Sequence, residues 1–220
     1  MARKKSLWVI SLASILICSG VSGIENSSAA ENALAALAKL QVKGRAAKIK
    51  DMRAQFGPAW KDVDRNGCDT RNDILKRDLT NLVFRSGTQN CVVESGTLND
   101  PYSGEAIEFT KGQVSSMEVQ IDHVVALADA WQTGAFKLSE AQRSQLANDP
   151  LNLLAVKGRL NSQKSDSDAA SWLPPLKGYR CKYVARQIAV KVKYGLWVKP
   201  AEKTAMQNIL KKCPNESLPN

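Results

Sequence analysis

The sequence predicts an α+β protein, and three observations carry that expectation. Short apolar stretches of strand length, such as residues 118–125 and 151–156, are interleaved with longer stretches of helical period. Gly, Pro, Asn and Asp punctuate the chain between them, as at Gly57-Pro58, Asn66-Gly67 and Asp100-Pro101. Apolar residues make up 44% and charged residues 24% of 220, the balance of a globular chain long enough to bury a core.

Taken in order, the chain opens with Arg3, Lys4 and Lys5, then an almost wholly apolar run over residues 7–18. That run is shorter than the roughly 20 residues a membrane span needs, and small residues follow at Ser28-Ala29-Ala30. Residues 1–30 are therefore expected to be a signal peptide on an exported protein that keeps no membrane span after cleavage. Residues 31–41 read as a helix and 42–67 as loops. Residues 69–84 read as one helix capped by Asp69 or Thr70, with Ile74, Leu75 and Leu82 at near-helical spacing. Arg71, Asp73, Arg77 and Asp78 read there mainly as a structural ion-pair face, with a substrate-side role for Arg71 as the alternative. Short strands are expected at 91–93, 96–98 and 107–109, with a turn at 100–104. A strand over 118–125 leads into a helical stretch, 126–147, broken at Gly134; a strand over 151–156 leads into the polar segment 161–171. Residues 181–194 and 200–213 read as two helices separated by Tyr194-Gly195, with Pro200 at a helix start. The organisation expected is a leader (1–30), an N-terminal helical and loop region (31–99), and a core with a C-terminal helical hairpin (100–220).

Beyond residue 30 four cysteines remain, Cys68, Cys91, Cys181 and Cys213. An even number in an exported chain reads as disulfides, and no CxxC spacing supports zinc. Four cysteines allow three pairings. A short connection makes the last two helices antiparallel, which brings Cys181 beside Cys213 and leaves Cys68 for Cys91. Charge is uneven: residues 31–139 carry 14 basic and 14 acidic side chains, whereas 176–212 carry ten basic ones against Glu202 alone. Such a basic segment favours a polyanion partner, either nucleic acid or an anionic wall or membrane surface.

Any histidine-dependent chemistry must pass through His123, the one histidine, and zinc sites of the HExxH type are excluded. His123 follows Asp122 near the end of a strand, and Asn152 and Asn161 lie in and beyond the next one. An Asp carboxylate and an Asn carbonyl are hard ligands for a divalent cation, and a neutral imidazole accepts a proton from water near pH 7. Asp, His and Asn can thus support metal-assisted phosphodiester hydrolysis. In a regular strand Asp122 and His123 point to opposite faces, so one shared site requires the strand to bend or end there.

The stretches NGCDTRNDILKRDL (66–79), DPYSG (100–104), VQIDHVVALADAW (119–131), NDPLNLLAVKGRLNSQKSD (148–166), WLPP (172–175) and RCKYVARQIAVKVKYGLWV (180–198) resemble the HNH, or ββα-metal, endonuclease superfamily. Within it they are most similar to secreted proteins of the DUF1524 / GmrSD C-terminal-like group. The core also resembles the HNH domain of RNA-guided CRISPR nucleases. There a DHIVP-like strand precedes an Asn on the second strand and, nine residues later, a helical Asn in an N-x-x-K-S-D stretch. Asn152 and Asn161 are nine apart, and N-S-Q-K-S-D stands at 161–166.

The resemblance implies a ββα-metal core with flanking helices. It assigns Asp122 and Asn161 to a divalent metal, Mg²⁺ or another such as Mn²⁺, and His123 to activating the attacking water. Asn152 would fix backbone or ring orientation near His123, and Lys164 would contact phosphate. Asn161 stands where many members have their last histidine, which favours hard metals over zinc. Ala126 replaces a common proline, and residues 124–147 insert a helix between the motif strands, as that group does. The function expected is a secreted metal-dependent endonuclease acting on DNA, or RNA, with low sequence specificity. It would be a monomer, and Arg180, Lys182 and Arg186 of the basic hairpin would hold the nucleic acid. The alternative is a non-catalytic cell-surface protein that binds DNA or anionic wall polymers.

Overall fold

The structure, a computed structural model, describes Met1 and residues 30–112 and 117–219. The leader expected at residues 1–30 therefore lies outside the described residues, apart from its two ends. The elements in chain order are α1 (Ala33–Lys39), a 3₁₀ turn (Met52–Phe56), α2 (Thr70–Asp78), β1 (Leu79–Phe84), β2 (Val93–Asn99), β3 (Ala106–Thr110) and β4 (Val119–His123). Then come α3 (Leu127–Gln132), α4 (Glu140–Asn148), β5 (Leu153–Lys157), α5 (Gly158–Lys164), α6 (Arg180–Lys193) and α7 (Pro200–Leu210). The α+β class follows directly.

Two antiparallel sheets are present among the described residues, β1-β2-β3 and β4-β5. The β4-β5 pair is the central layer. Val119, Ile121, Leu153 and Ala155 face a cluster made with Ile74, Leu75, Leu98 and Phe109 from α2 and the three-stranded sheet. The alternating residues Leu154 and Val156 face the opposite way, against Tyr183, Val184 and Ile188 of α6 and Met206 of α7. Period-two alternation thus lets one strand pair belong to two cores.

The helix expected over 69–84 is only half a helix. Asp69 caps α2 through the Asn72 amide, but the helix stops at Asp78 and Leu79 turns extended (φ −95°, ψ 152°). Residues 79–84 pair with β2 instead, because Thr80, Val83 and Phe84 suit a pleated ladder better than a helix. The register slips between Thr80 and Val83, with Asn81 at φ 51°, and the bulge presses on Gly96 across the ladder. A Cβ at Gly96 would stand 3.0 Å from the Thr80 carbonyl oxygen, which explains a glycine in mid-strand. The two strands expected within 91–98 are one strand, β2.

Disulfides join Cys68 to Cys91 and Cys181 to Cys213. The first ties the start of α2 to the start of β2. The second ties the start of α6 to the residue region just past α7, so the two helices run antiparallel. The boundary expected between residues 99 and 100 falls in the tight connection between β2 and β3, strands of one ladder.

Candidate active site

Strand β4 ends at His123, and this ending brings neighbouring side chains with opposite surroundings to one place. Val124 leaves the ladder by donating to the Asn152 carbonyl, at 2.8 Å. Asp122, His123 and Asn161 all line one cleft of about 690 Å³, together with Arg53, Trp60, Arg71 and Gln120.

Asp122 is buried, with both carboxylate oxygens engaged. Oδ2 accepts from the Tyr102 hydroxyl at 2.5 Å and Oδ1 from the Lys164 ammonium at 2.9 Å. Burial raises its pKa above the ordinary carboxylate value, and Lys164 and Tyr102 pull the other way. Tyr102 is itself fully buried among Trp172, Tyr179 and Tyr183. Burial, then the Asp122 charge, hold its hydroxyl well above the usual phenol range, so it remains a donor.

His123 is fixed from both sides. Its Nε2 lies 2.8 Å from the Ala147 carbonyl oxygen, and its ring stacks on Trp60 with centroids 6.3 Å apart. A carbonyl only accepts, so Nε2 carries the proton and Nδ1 keeps the lone pair. Burial lowers the imidazole pKa to about 4, and the charges of Arg53 and Lys164 press in the same direction. The ring is therefore neutral at pH 7.

Asn152 is fully buried and braces the chain after His123. Its Oδ1 accepts from the Val125 amide at 2.8 Å, and its Nδ2 donates to the Val125 and Leu146 carbonyls. The bonds run to backbone rather than to the imidazole, so the brace acts on the loop that leaves β4.

Helix α5 supplies Asn161 and Lys164, three residues apart and hence on one helical face. Gly158 allows this docking: its amide donates to the Glu118 carbonyl, and a Cβ there would stand 1.9 Å from the Met117 carbonyl oxygen. Asn161 Nδ2 donates to Gln120 Oε1 at 2.8 Å, and its Oδ1 receives no donor among the described residues. Lys164 donates to Asp122 and, at 2.8 Å, to the His123 carbonyl. Lys164 is 0% exposed, which corrects the expectation that it reaches phosphate. Its ammonium is the counter-ion of Asp122, and burial of that pair keeps it from the surface.

With this geometry in hand, comparison with known proteins gives a family. The C-terminal domain of GmrSD restriction endonucleases matches residues 69–209. The chain belongs to this family. A protein of Arthroderma benhamiae, described as an uncharacterized secreted protein, is 35% identical over 190 residues, covering 86% of this chain and 88% of its own. No solved structure matches.

For this member of the GmrSD C-terminal domain family, the matched segment holds Arg71, Tyr102, Asp122, His123, Asn152, Asn161 and Lys164. Arg53 and Trp60 come from the chain before it. Sequence reasoning missed Tyr102, because Asp100-Pro101-Tyr102-Ser103-Gly104 reads as a turn. The turn is there, with Asp100 capping Ser103, but it also delivers the tyrosine to Asp122. Arg71 is expected mainly on an ion-pair face, with the substrate side as the alternative. Arg77 and Asp78 do pair, at 2.6 Å, but Arg71 makes no salt bridge among the described residues, feels the Asp69 charge and donates to the Val119 carbonyl.

The basic hairpin lies elsewhere. Lys182 and Arg186 line a separate groove with Tyr179 and Glu216, and Arg180 donates to the Pro174 carbonyl. Its charges do not form one face. Lys191 and Lys199 are buried against Asp129, Asp168 and Glu202, and Lys193 pairs with Asp149 at 2.6 Å. The three acids are close enough together to suggest a cation site, but the Lys191 and Lys199 ammonium groups already pair with all of them. This cluster reads as an internal ion-pair network.

Proposed function

We propose that the protein is a secreted, divalent-metal-dependent endonuclease that hydrolyses DNA phosphodiester bonds with little sequence preference. The observation that carries the reading is the meeting of Asp122, His123 and Asn161 in one cleft, with the His123 ring held through Nε2 by the Ala147 carbonyl. The family's nuclease name and the secreted relative support it.

Asp122 and Asn161 fit a hard cation such as Mg²⁺ or Mn²⁺, being oxygen donors that line the same cleft. The Asn161 carbonyl oxygen has no competing donor among the described residues, and each Asp122 oxygen keeps a second lone pair beyond its one hydrogen bond. Bound there, the metal would stabilise negative charge on the phosphate and the leaving oxygen.

The protein's own residues do the rest. His123 Nδ1 takes a proton from water as the oxygen attacks phosphorus, and the P–O bond to the leaving strand breaks. Ala147 and Trp60 hold the ring so that Nδ1 is the basic atom. Asn152 fixes the Val124-Val125 turn that sets where β4 ends. Tyr102 and Lys164 hold the Asp122 carboxylate. Arg180, Lys182 and Arg186 would contact the nucleic acid away from the scissile bond.

The test is supercoiled plasmid DNA, and an RNA of similar length, incubated with the purified protein from residue 31 onward and Mg²⁺ or Mn²⁺. Nicking and linearisation that stop with chelator are expected. DNA left intact with every divalent metal would leave the binding-protein alternative in its place.

A further inference from the structure

We propose that Arg71 and Arg53 form a phosphate clamp that holds the substrate strand in the cleft beside His123. This deepens the nuclease reading and rests on it. Arg71 sits in the first turn of α2, three residues after Cys68. Asp69 lies near enough for its charge to favour the guanidinium, but it makes no salt bridge with it, because that carboxylate caps the helix through the Asn72 amides. Arg71 is half-buried, lines the cleft and bonds only to the Val119 carbonyl, at 3.4 Å. A partly desolvated guanidinium that makes no salt bridge among the described residues keeps its fork free for an anion that arrives from outside.

Arg53 comes from the 3₁₀ turn before the family segment, lines the same cleft and is exposed. It too has no carboxylate partner among the described residues, and it lies close enough to His123 to bear on its protonation. Of the carboxylates lining the cleft, Asp122 is paired with Lys164 and Asp166 with Lys48 at 3.0 Å, while Asp51 makes no salt bridge among the described residues. Two planar guanidinium forks beside a general base match the oxygens of a phosphodiester, which two lysines would hold less specifically.

The experiment measures binding apart from cutting. In the His123→Ala background, fluorescence anisotropy follows a short labelled DNA duplex across a salt series. Arg71→Gln and Arg53→Gln are each expected to weaken binding about tenfold. Each should also reduce the slope of log K against log salt by about one, since each removes one phosphate contact. Lys76→Gln, an equal charge loss on the exposed side of α2, should leave both unchanged. Arg53 is exposed, so its variant folds and keeps the test valid if Arg71→Gln does not; Arg71→Lys then tests the fork with the charge kept. Unchanged affinity and slope in both glutamine variants, or a loss equal to that of Lys76→Gln, overturns the clamp. A His123→Ala protein that still cuts would sink the mechanism and leave the binding result standing.

Discussion

Asp122 and His123 are adjacent in the chain but live in different surroundings: one lies among tyrosines and a buried lysine, the other between a tryptophan ring and a carbonyl. Asp122, His123, Asn152 and Asn161 were legible as candidates through the motif spacing that carries the resemblance; the fold brings Asp122, His123 and Asn161 to one cleft and buries Asn152 behind it. The sequence did not reveal Tyr102, whose role depends on what lies across the fold, and it left Arg71 between an ion-pair face and the substrate side. Lys164 shows the same limit. Its place in the motif was legible, but only the packing of α5 on β4 makes it a counter-ion. Asn152 offers a prediction at this scale. Asn152→Ala leaves the Val125 amide and carbonyl unpaired in a buried place and should cost about 1–3 kcal/mol. The urea midpoint measures this, and nuclease rate should fall with the loosened turn. An unchanged midpoint and rate would mean that the brace does nothing.

Among the elements, helices with clear ends were legible and strands next to helices were not. Residues 180–193 and 200–210 form the expected hairpin because an apolar face, Pro200 and a following disulfide all agree. The stretch 69–84 misled because Leu79, Leu82 and Val83 continue a helical apolar spacing, while the backbone turns extended to pair with β2. The polar segment expected from Asn161 onward begins inside α5, which starts at Gly158, where a glycine alone can pass under the Met117 carbonyl. Gly158→Ala should therefore push α5 away from β4 and shift Asn161 and Lys164 together. The expected result is a loss of about 1–3 kcal/mol in stability and a much larger loss of activity. Circular dichroism melts and plasmid cleavage on the same sample check it, and wild-type behaviour in both would refute this role for the glycine.

For the molecule as a whole, the surplus charge was counted correctly and located too simply. Sequence cannot show that Lys191 and Lys199 point inward, because their partners Asp129 and Asp168 lie far away in the chain. That internal network gives a pH prediction. Burial pushes the Asp168 carboxyl up, but the Lys199 hydrogen bond and charge outweigh it and leave the folded pKa below the ordinary value. A depressed carboxylate adds stability above its unfolded pKa, near 4, and that stability is lost as pH falls through the folded value. Asp168→Asn should thus be less stable than wild type at pH 7, by on the order of 3 kcal/mol, with the gap closing towards pH 3. Denaturant curves at the two pH values decide it, and a gap that widens in acid would contradict the assignment. The two cores on either side of β4-β5 fix the strand that carries Asp122 and His123, α5 brings Asn161 beside it, and the proposed chemistry depends on His123. The most direct measurement is the single-turnover cleavage rate of His123→Ala against wild type with saturating Mg²⁺. A fall of about 10²–10⁴-fold, with the fold intact, is predicted for loss of a general base; an equal rate would contradict the account.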